Sequence, residues 1–324
     1  MSEPATSPRA PSDVAALTGQ ACLFNLSWTN QGDELTNTWL HYDMSAEGAL
    51  AALEYQGLPK AVIRYLTRAE TRPAARVLSG GVALVLRGIN FNESQDPVDM
   101  VSLRCFLEPN RLVTVRSRWL ASVQETRKQI EEGEALGHPT DVLLAIVEKL
   151  TVKISRHIET LDSALGAFEL CAEGPTRELA KLDFSGLRRQ IASVYRFIAP
   201  QRSALTTLVQ IGEGRFSEDQ LERIIELEDL TQRYAEDLEL HRERASSLLE
   251  AQFNALQAEQ NSRSYVLSLI AGLFLPATFV TGLFGMNVAG LPGTENPSSF
   301  LMVAGAMVVI SGAVYVALKF NKWL

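Results

Sequence analysis

Two uncharged runs near the end of the 324-residue chain limit what it can fold into more than any other feature: Tyr265 to Phe284, 20 residues, and Phe300 to Leu318, 19 residues. Each is close to the roughly 20 residues that carry a helix across the hydrocarbon core of a bilayer. A buried hairpin of core helices is the alternative, and it needs more surrounding protein than this tail supplies. The segment before the first run tightens the constraint. Beyond Ser217 there is no glycine until Gly272 and no proline until Pro276. Ser217 and Gln220 have the spacing of a capping box, and Glu218 and Asp219 suit the positive end of a helix. The pattern predicts one helix from Glu218 to Phe284, roughly 100 Å long at 1.5 Å per residue.

The charge distribution orients the spans. Arg263 precedes the first and Lys319 and Lys322 follow the second, whereas residues 285–299 contain no Lys or Arg. Positive charge favours the cytoplasmic side, so both termini are expected there, with 285–299 as the outer loop. The first 16 residues, rich in Ala, Ser and Pro, lack the apolar core of a signal peptide and are expected to be a disordered lead-in.

Residues 17–217 read as a cytoplasmic α+β domain. Strands are expected at Cys22 to Trp28, Val82 to Arg87, Met100 to Phe106 and Leu112 to Val115, the last two joined by the turn Glu108-Pro109-Asn110. Helices are expected at Ala46 to Leu53 and Lys60 to Thr67, then at about 118–135, 141–171 and 176–209. Domain by domain, the reading is a lead-in (1–16), a cytoplasmic funnel domain (17–217), a stalk helix (218–264), a first membrane helix (265–284), an outer loop (285–299), a second membrane helix (300–318) and a cytoplasmic tail (319–324).

Several functions are disfavoured. Three dispersed cysteines, Cys22, Cys105 and Cys171, give neither a disulfide framework nor a thiolate zinc site. A net charge of -8 with no concentrated Lys/Arg patch argues against nucleic acid. Gly80-Gly81 lacks the context of a phosphate loop, no enzyme constellation emerges, and no cofactor is implied. Asp237 and His241, at i and i+4, read as a surface ion pair rather than a metal site.

The first span carries a pattern of its own. Asn254, Gln257, Asn261, Ser264, Ser268, Ala271, Leu275, Thr278 and Gly282 recur at steps of three and four, forming a stripe of mostly polar or small residues on one helix face. Small residues in membrane helices also serve close packing, but the stripe continues below the membrane to amides and Glu250, where that explanation lapses. Two helices per chain enclose no water-filled path, so transport requires several copies with the first span of each lining a pore. Twelve Asp or Glu against four Arg lie between Glu218 and Glu259, a balance of -8. They read either as a cation-attracting vestibule or as the solvated face of a long helix.

At the end of the first span, Gly285-Met286-Asn287, with Phe274-Leu275-Pro276-Ala277-Thr278-Phe279 and Gly282 before it, resembles the signature of the CorA family of divalent-cation channels. Gly290-Leu291-Pro292-Gly293, Glu70-Thr71-Arg72-Pro73, Ala199-Pro200-Gln201-Arg202 and Lys322-Trp323-Leu324 are similar to its ZntB-like zinc-transporter branch. The resemblance implies a homopentameric funnel in a bacterial cytoplasmic membrane. It places Asn287, in its motif with Gly285 and Met286, in an outer selectivity ring, Thr278 and Gly282 along the pore beneath it and Asn261 near the inner end; the spacing of the stripe adds Ser264 and Ser268 to the pore-lining candidates. The ion implied is Zn²⁺, with Mg²⁺, Co²⁺, Ni²⁺ and Cd²⁺ as alternatives, and proton coupling is part of that picture. A ring of amide oxygens suits a hydrated divalent cation, whose shell it can bind without stripping. The same three residues also read as a helix stop. Glu295, alone in charge in the outer loop, reads as a cation attractor or an ordinary loop acid. A magnesium channel and a membrane-tethered sensor are the competing readings.

Overall fold

The computed structural model describes residues 21–30, 35–69, 71–92, 99–133, 137–172, 174, 183–286 and 297–320, without the side chains of 317 and 318. It divides into two compact units, residues 1–173 with 183–249, and residues 174–182 with 250–324.

The first unit is built on a six-stranded sheet of β1 (Cys22–Trp28), β2 (Asn37–Asp43), β3 (Ala74–Leu78), β4 (Gly81–Gly88), β5 (Val101–Glu108) and β6 (Arg111–Arg116). The spatial order is β1-β2-β6-β5-β4-β3, with β2 and β6 parallel and every other pair antiparallel. The β5–β6 hairpin turns at Pro109-Asn110 as expected, with Glu108 opposite Arg111. Alternating side chains divide between two apolar faces. One face, including Leu40, Tyr42, Ala83, Val85, Phe106, Val113 and Val115, packs with Leu53, Val62 and Leu66 from α1 (Ala49–Tyr55) and α2 (Lys60–Leu66). On the other, Trp39, His41 and Thr114 are buried together: Trp39 Nε1 donates to Thr114 Oγ1 at 2.8 Å, and His41 Nδ1 lies 2.8 Å from the same oxygen.

Three long helices follow α3 (Ala121–Glu131): α4 (Pro139–Ala172), α5 (Ser185–Gly212) and α6 (Glu218–Phe284). On α6, Ile224, Leu227, Thr231, Leu238, His241, Ala245 and Leu248 are buried, and on α5 Leu187, Ile191, Val194, Ile198, Gln201, Leu205 and Leu208 are buried. Their positions fit the alternating three- and four-residue steps that keep one seam of a helix facing its neighbours. Gln201 does more than fill its seam. Its Oε1 accepts from the backbone N–H of Arg87 at 2.7 Å, where β4 has run past its pairing with β3. The capping box forms in both directions: Ser217 N donates to Gln220 Oε1 and Gln220 N to Ser217 Oγ, each at 3.2 Å.

The second unit contains the later part of α6 and α7 (Ser299–Phe320). These are the two described helices long and apolar enough to cross a membrane, with mean hydropathies of 2.0 and 2.1 in their most apolar windows and no residue of those windows fully buried. The α6 helix continues through Pro276, although Pro276 leaves the Gly272 carbonyl without its helical donor.

Candidate functional site

Position on α6 separates the polar stripe from the residues that pack. Leu269, Leu273, Pro276, Ala277 and Val280 are half-covered, and so are Val303, Ala304, Met307, Ser311 and Val314 on α7. Each set follows one helix face, and the two helices touch where Thr281 Oγ1 lies 3.5 Å from Met307 Sδ. At about 100° per residue, Asn261, Ser264, Ser268, Thr278 and Gly282 fall on the face of α6 opposite the half-covered set. All five are exposed in the single chain. Thr278 Oγ1 donates to the Phe274 carbonyl at 2.8 Å, which ties down its one hydrogen and leaves the oxygen as an acceptor toward that face.

The helix ends at Phe284. Gly285 N still donates to the Thr281 carbonyl at 2.9 Å, and Gly285 is not among the described glycines with positive φ. The left-handed stop is therefore not how Gly285 ends the helix. A Cβ on Gly285 would sit 3.0 Å from the Thr281 carbonyl oxygen, so the residue closes the last turn where a side chain would crowd it. Met286 is exposed; Asn287 and Glu295 lie outside the described residues.

Below the span, charge is sorted by face. Ten of the twelve acids between Glu218 and Glu259, all except Glu228 and Glu259, are exposed. Two of the four arginines instead turn to α4: Arg223 binds Glu148 at 2.8 Å, and Arg244 binds Glu169 and Asp162 at 2.6 Å each. Hydrogen bonds from Arg244 hold both carboxyls below the usual carboxylate range. His241 faces the seam, and its Nε2 meets Asp162 Oδ1 at 3.1 Å. The expected pairing with Asp237 is thus replaced by one with a residue 79 positions away, because His241 is buried at the helix contact while Asp237 is exposed. No group of three or more His, Cys, Asp or Glu among the described residues is arranged to hold a metal ion.

An α+β domain that hands one very long helix to a pair of C-terminal membrane helices, the first with a polar face turned away from the second, defines an integral membrane protein of the transporter type. The family model for "CorA-like Mg2+ transporter protein" matches residues 34–319, and the chain belongs to that family. It is 35% identical over 289 residues to the divalent cation transporter CmaX of Pseudomonas aeruginosa, covering 88% of this chain and 85% of that one. It is 32% identical over 291 residues to the zinc transport protein ZntB of Yersinia enterocolitica, covering 88% of each. The structure of full-length CmaX superposes with a TM-score of 0.78 at 30% identity, covering 93% of this chain and 98% of that one.

Proposed function

We propose that the protein carries divalent cations, zinc foremost, across a bacterial cytoplasmic membrane through the central pore of a homopentamer with both termini cytoplasmic. The observation that carries this reading is the exposed stripe Asn261, Ser264, Ser268, Thr278 and Gly282, on the face of α6 opposite the one half-covered beside α7. In a ring of copies that stripe lines the path, supplying hydroxyl and amide oxygens that bind a cation's water shell without stripping it. Asn287, just past the helix end with Gly285 and Met286, forms the outer ring, and Glu295 raises the cation concentration at the mouth. The exposed acids of α6 do the same on the cytoplasmic side. Relatives named for divalent cations and for zinc support the class of cargo.

Magnesium is the second reading, favoured by one observation: the stripe offers oxygen ligands and no Cys or His, the donor set of a hard cation. Proteoliposome uptake of Zn²⁺ and Mg²⁺, with and without a pH gradient, separates the two. Zinc uptake that outpaces magnesium and collapses in Asn287→Ala supports the first reading, and dependence on the pH gradient adds proton coupling. Faster magnesium uptake moves the protein to the second, and no flux of either ion through intact oligomers defeats both in favour of a tethered sensor.

A further inference from the structure

The fold gathers four arginines that are scattered in sequence. Arg87 on β4, Arg104 on β5, Arg118 after β6 and Arg196 on α5 line one cavity of about 340 Å³ within the first unit. Arg87 and Arg104 are on neighbouring strands and the same sheet face, since Val85 pairs with Arg104 and Arg87 with Ser102. Arg104 is only 4% exposed. Among the described residues, their hydrogen-bond partners are neutral carbonyls, which orient these guanidiniums without neutralising them. Arg87 donates to the carbonyls of Met100 at 2.8 Å and Thr71 at 2.7 Å, and Arg104 donates to the Leu66 carbonyl, at the end of α2, at 3.0 Å. Among the described residues, the Nε of each is buried with no partner. The guanidiniums of Arg87 and Arg196 also approach the ring of Phe197, at 4.8 and 5.7 Å from its centre.

One carboxylate lines the cavity among the described residues. Asp99 lies 3.7 Å from Arg118, and its side chain is 68% exposed. A loose pair of that kind contributes little. Burial, then the charges of Arg104, Arg118 and Arg196, lower the proton affinity of Arg87, which is how uncompensated positive charge in a partly desolvated site behaves. Such a cluster is costly unless an anion completes it. It is also out of character for a chain of net charge -8, so general attraction to polyanions does not account for it.

From these contacts we infer that the Arg87–Arg104–Arg118–Arg196 cavity of the cytoplasmic domain is a binding site for a soluble, multiply charged phosphoryl anion. Guanidinium forks match phosphate oxygens in pairs, and a doubly charged group offsets what a single carboxylate leaves over.

Titration calorimetry of the full-length protein in detergent, free of divalent metal, with pyrophosphate as the probe, tests this. Saturable binding is expected, weakened about tenfold or more in Arg118→Ala/Arg196→Ala, since each charged hydrogen bond lost is worth about a factor of ten. These two residues are exposed, so the fold survives their loss. Asp99→Asn removes the competing carboxylate and tightens binding, and Arg64→Ala, an exposed arginine elsewhere, leaves it unchanged. Absence of saturable binding to the wild type, or equal binding to the double variant, overturns the site; the arginines then serve carboxylates of the chain itself, for which Glu70, Glu93 and Asp96 flank the cavity in sequence.

Discussion

Arg244 on α6 meets Glu169 on α4 through two bonds, Nε to Oε1 at 2.8 Å and Nη2 to Oε2 at 2.6 Å, and spends a third on Asp162. The fork fixes the last turns of α4 against the stalk. With Arg244 28% and Glu169 37% exposed, solvent screens the pair, so Arg244→Ala should cost about 1 kcal/mol. Hydrogen exchange should accelerate in the α4 turns around Asp162 to Cys171 and little elsewhere; unchanged protection there would refute the role. The folded carboxyl of Glu169 is more acidic than its unfolded form, so its contribution is present above the usual carboxylate range and is lost as pH falls through the lowered value. Wild type and variant should converge in acid.

His41 carries a pH dependence of a different kind. Burial, with Arg116 nearby, lowers it to about 3, so it stays neutral in the fold while an unfolded histidine titrates near 6.5. Below 6.5 the unfolded chain gains a proton that the fold refuses, and stability falls until about pH 3. Between pH 7 and 4.5 the loss should be about 2 to 3 kcal/mol. Thermal unfolding followed by tryptophan fluorescence should show this slope in the wild type and its reduction in His41→Gln.

Two glycines should respond oppositely to alanine. A Cβ at Gly81 would lie 2.6 Å from the Phe106 ring and 2.7 Å from the Leu107 carbonyl, so Gly81→Ala should cost about 1 to 3 kcal/mol through a forced shift of β5. Gly166, inside α4, meets nothing within 4 Å, and Gly166→Ala should stabilise by about 0.5 to 1 kcal/mol. Melting temperatures that move together would contradict the packing around Phe106.

Transport should discriminate between two glycines in the membrane helices. Gly282→Leu puts a large side chain on the stripe face of α6 and should remove most of the flux while oligomers survive. Gly312→Leu on α7, off the half-covered face, should leave flux close to wild type. Equal loss in both variants would count against the stripe as the path.

Much of this architecture is legible in the sequence because it rests on local signals. The α6 helix runs from Glu218 to Phe284 as its cap, its long stretch free of glycine and proline and its apolar run imply, and the second apolar run becomes Ser299–Phe320. The missed strands lack such signals. In β2, Asn-Thr-Trp-Leu-His-Tyr-Asp is buried on both sides, so its polar residues face protein and the alternation disappears. The β3 edge strand is short and half-exposed. Among the candidate site residues, the stripe on α6 follows from spacing alone, whereas the His241–Asp162 contact and the arginine cavity depend on which elements pack together. Arg87 and Arg196 are 109 positions apart, and no linear patch of basic residues announces them.

The sorting of charge along α6 bears on how cations would accumulate around an assembly of copies. Because Arg223 and Arg244 are committed to α4, ten exposed acids per copy remain as immobile charge against Arg233 and Arg242. Several copies around one axis would behave as a small Donnan compartment, enriched in every cation according to valence and free concentration. Local occupancy by a divalent ion would then vary with the potassium of the surrounding solution, with no dedicated binding site on the helix required.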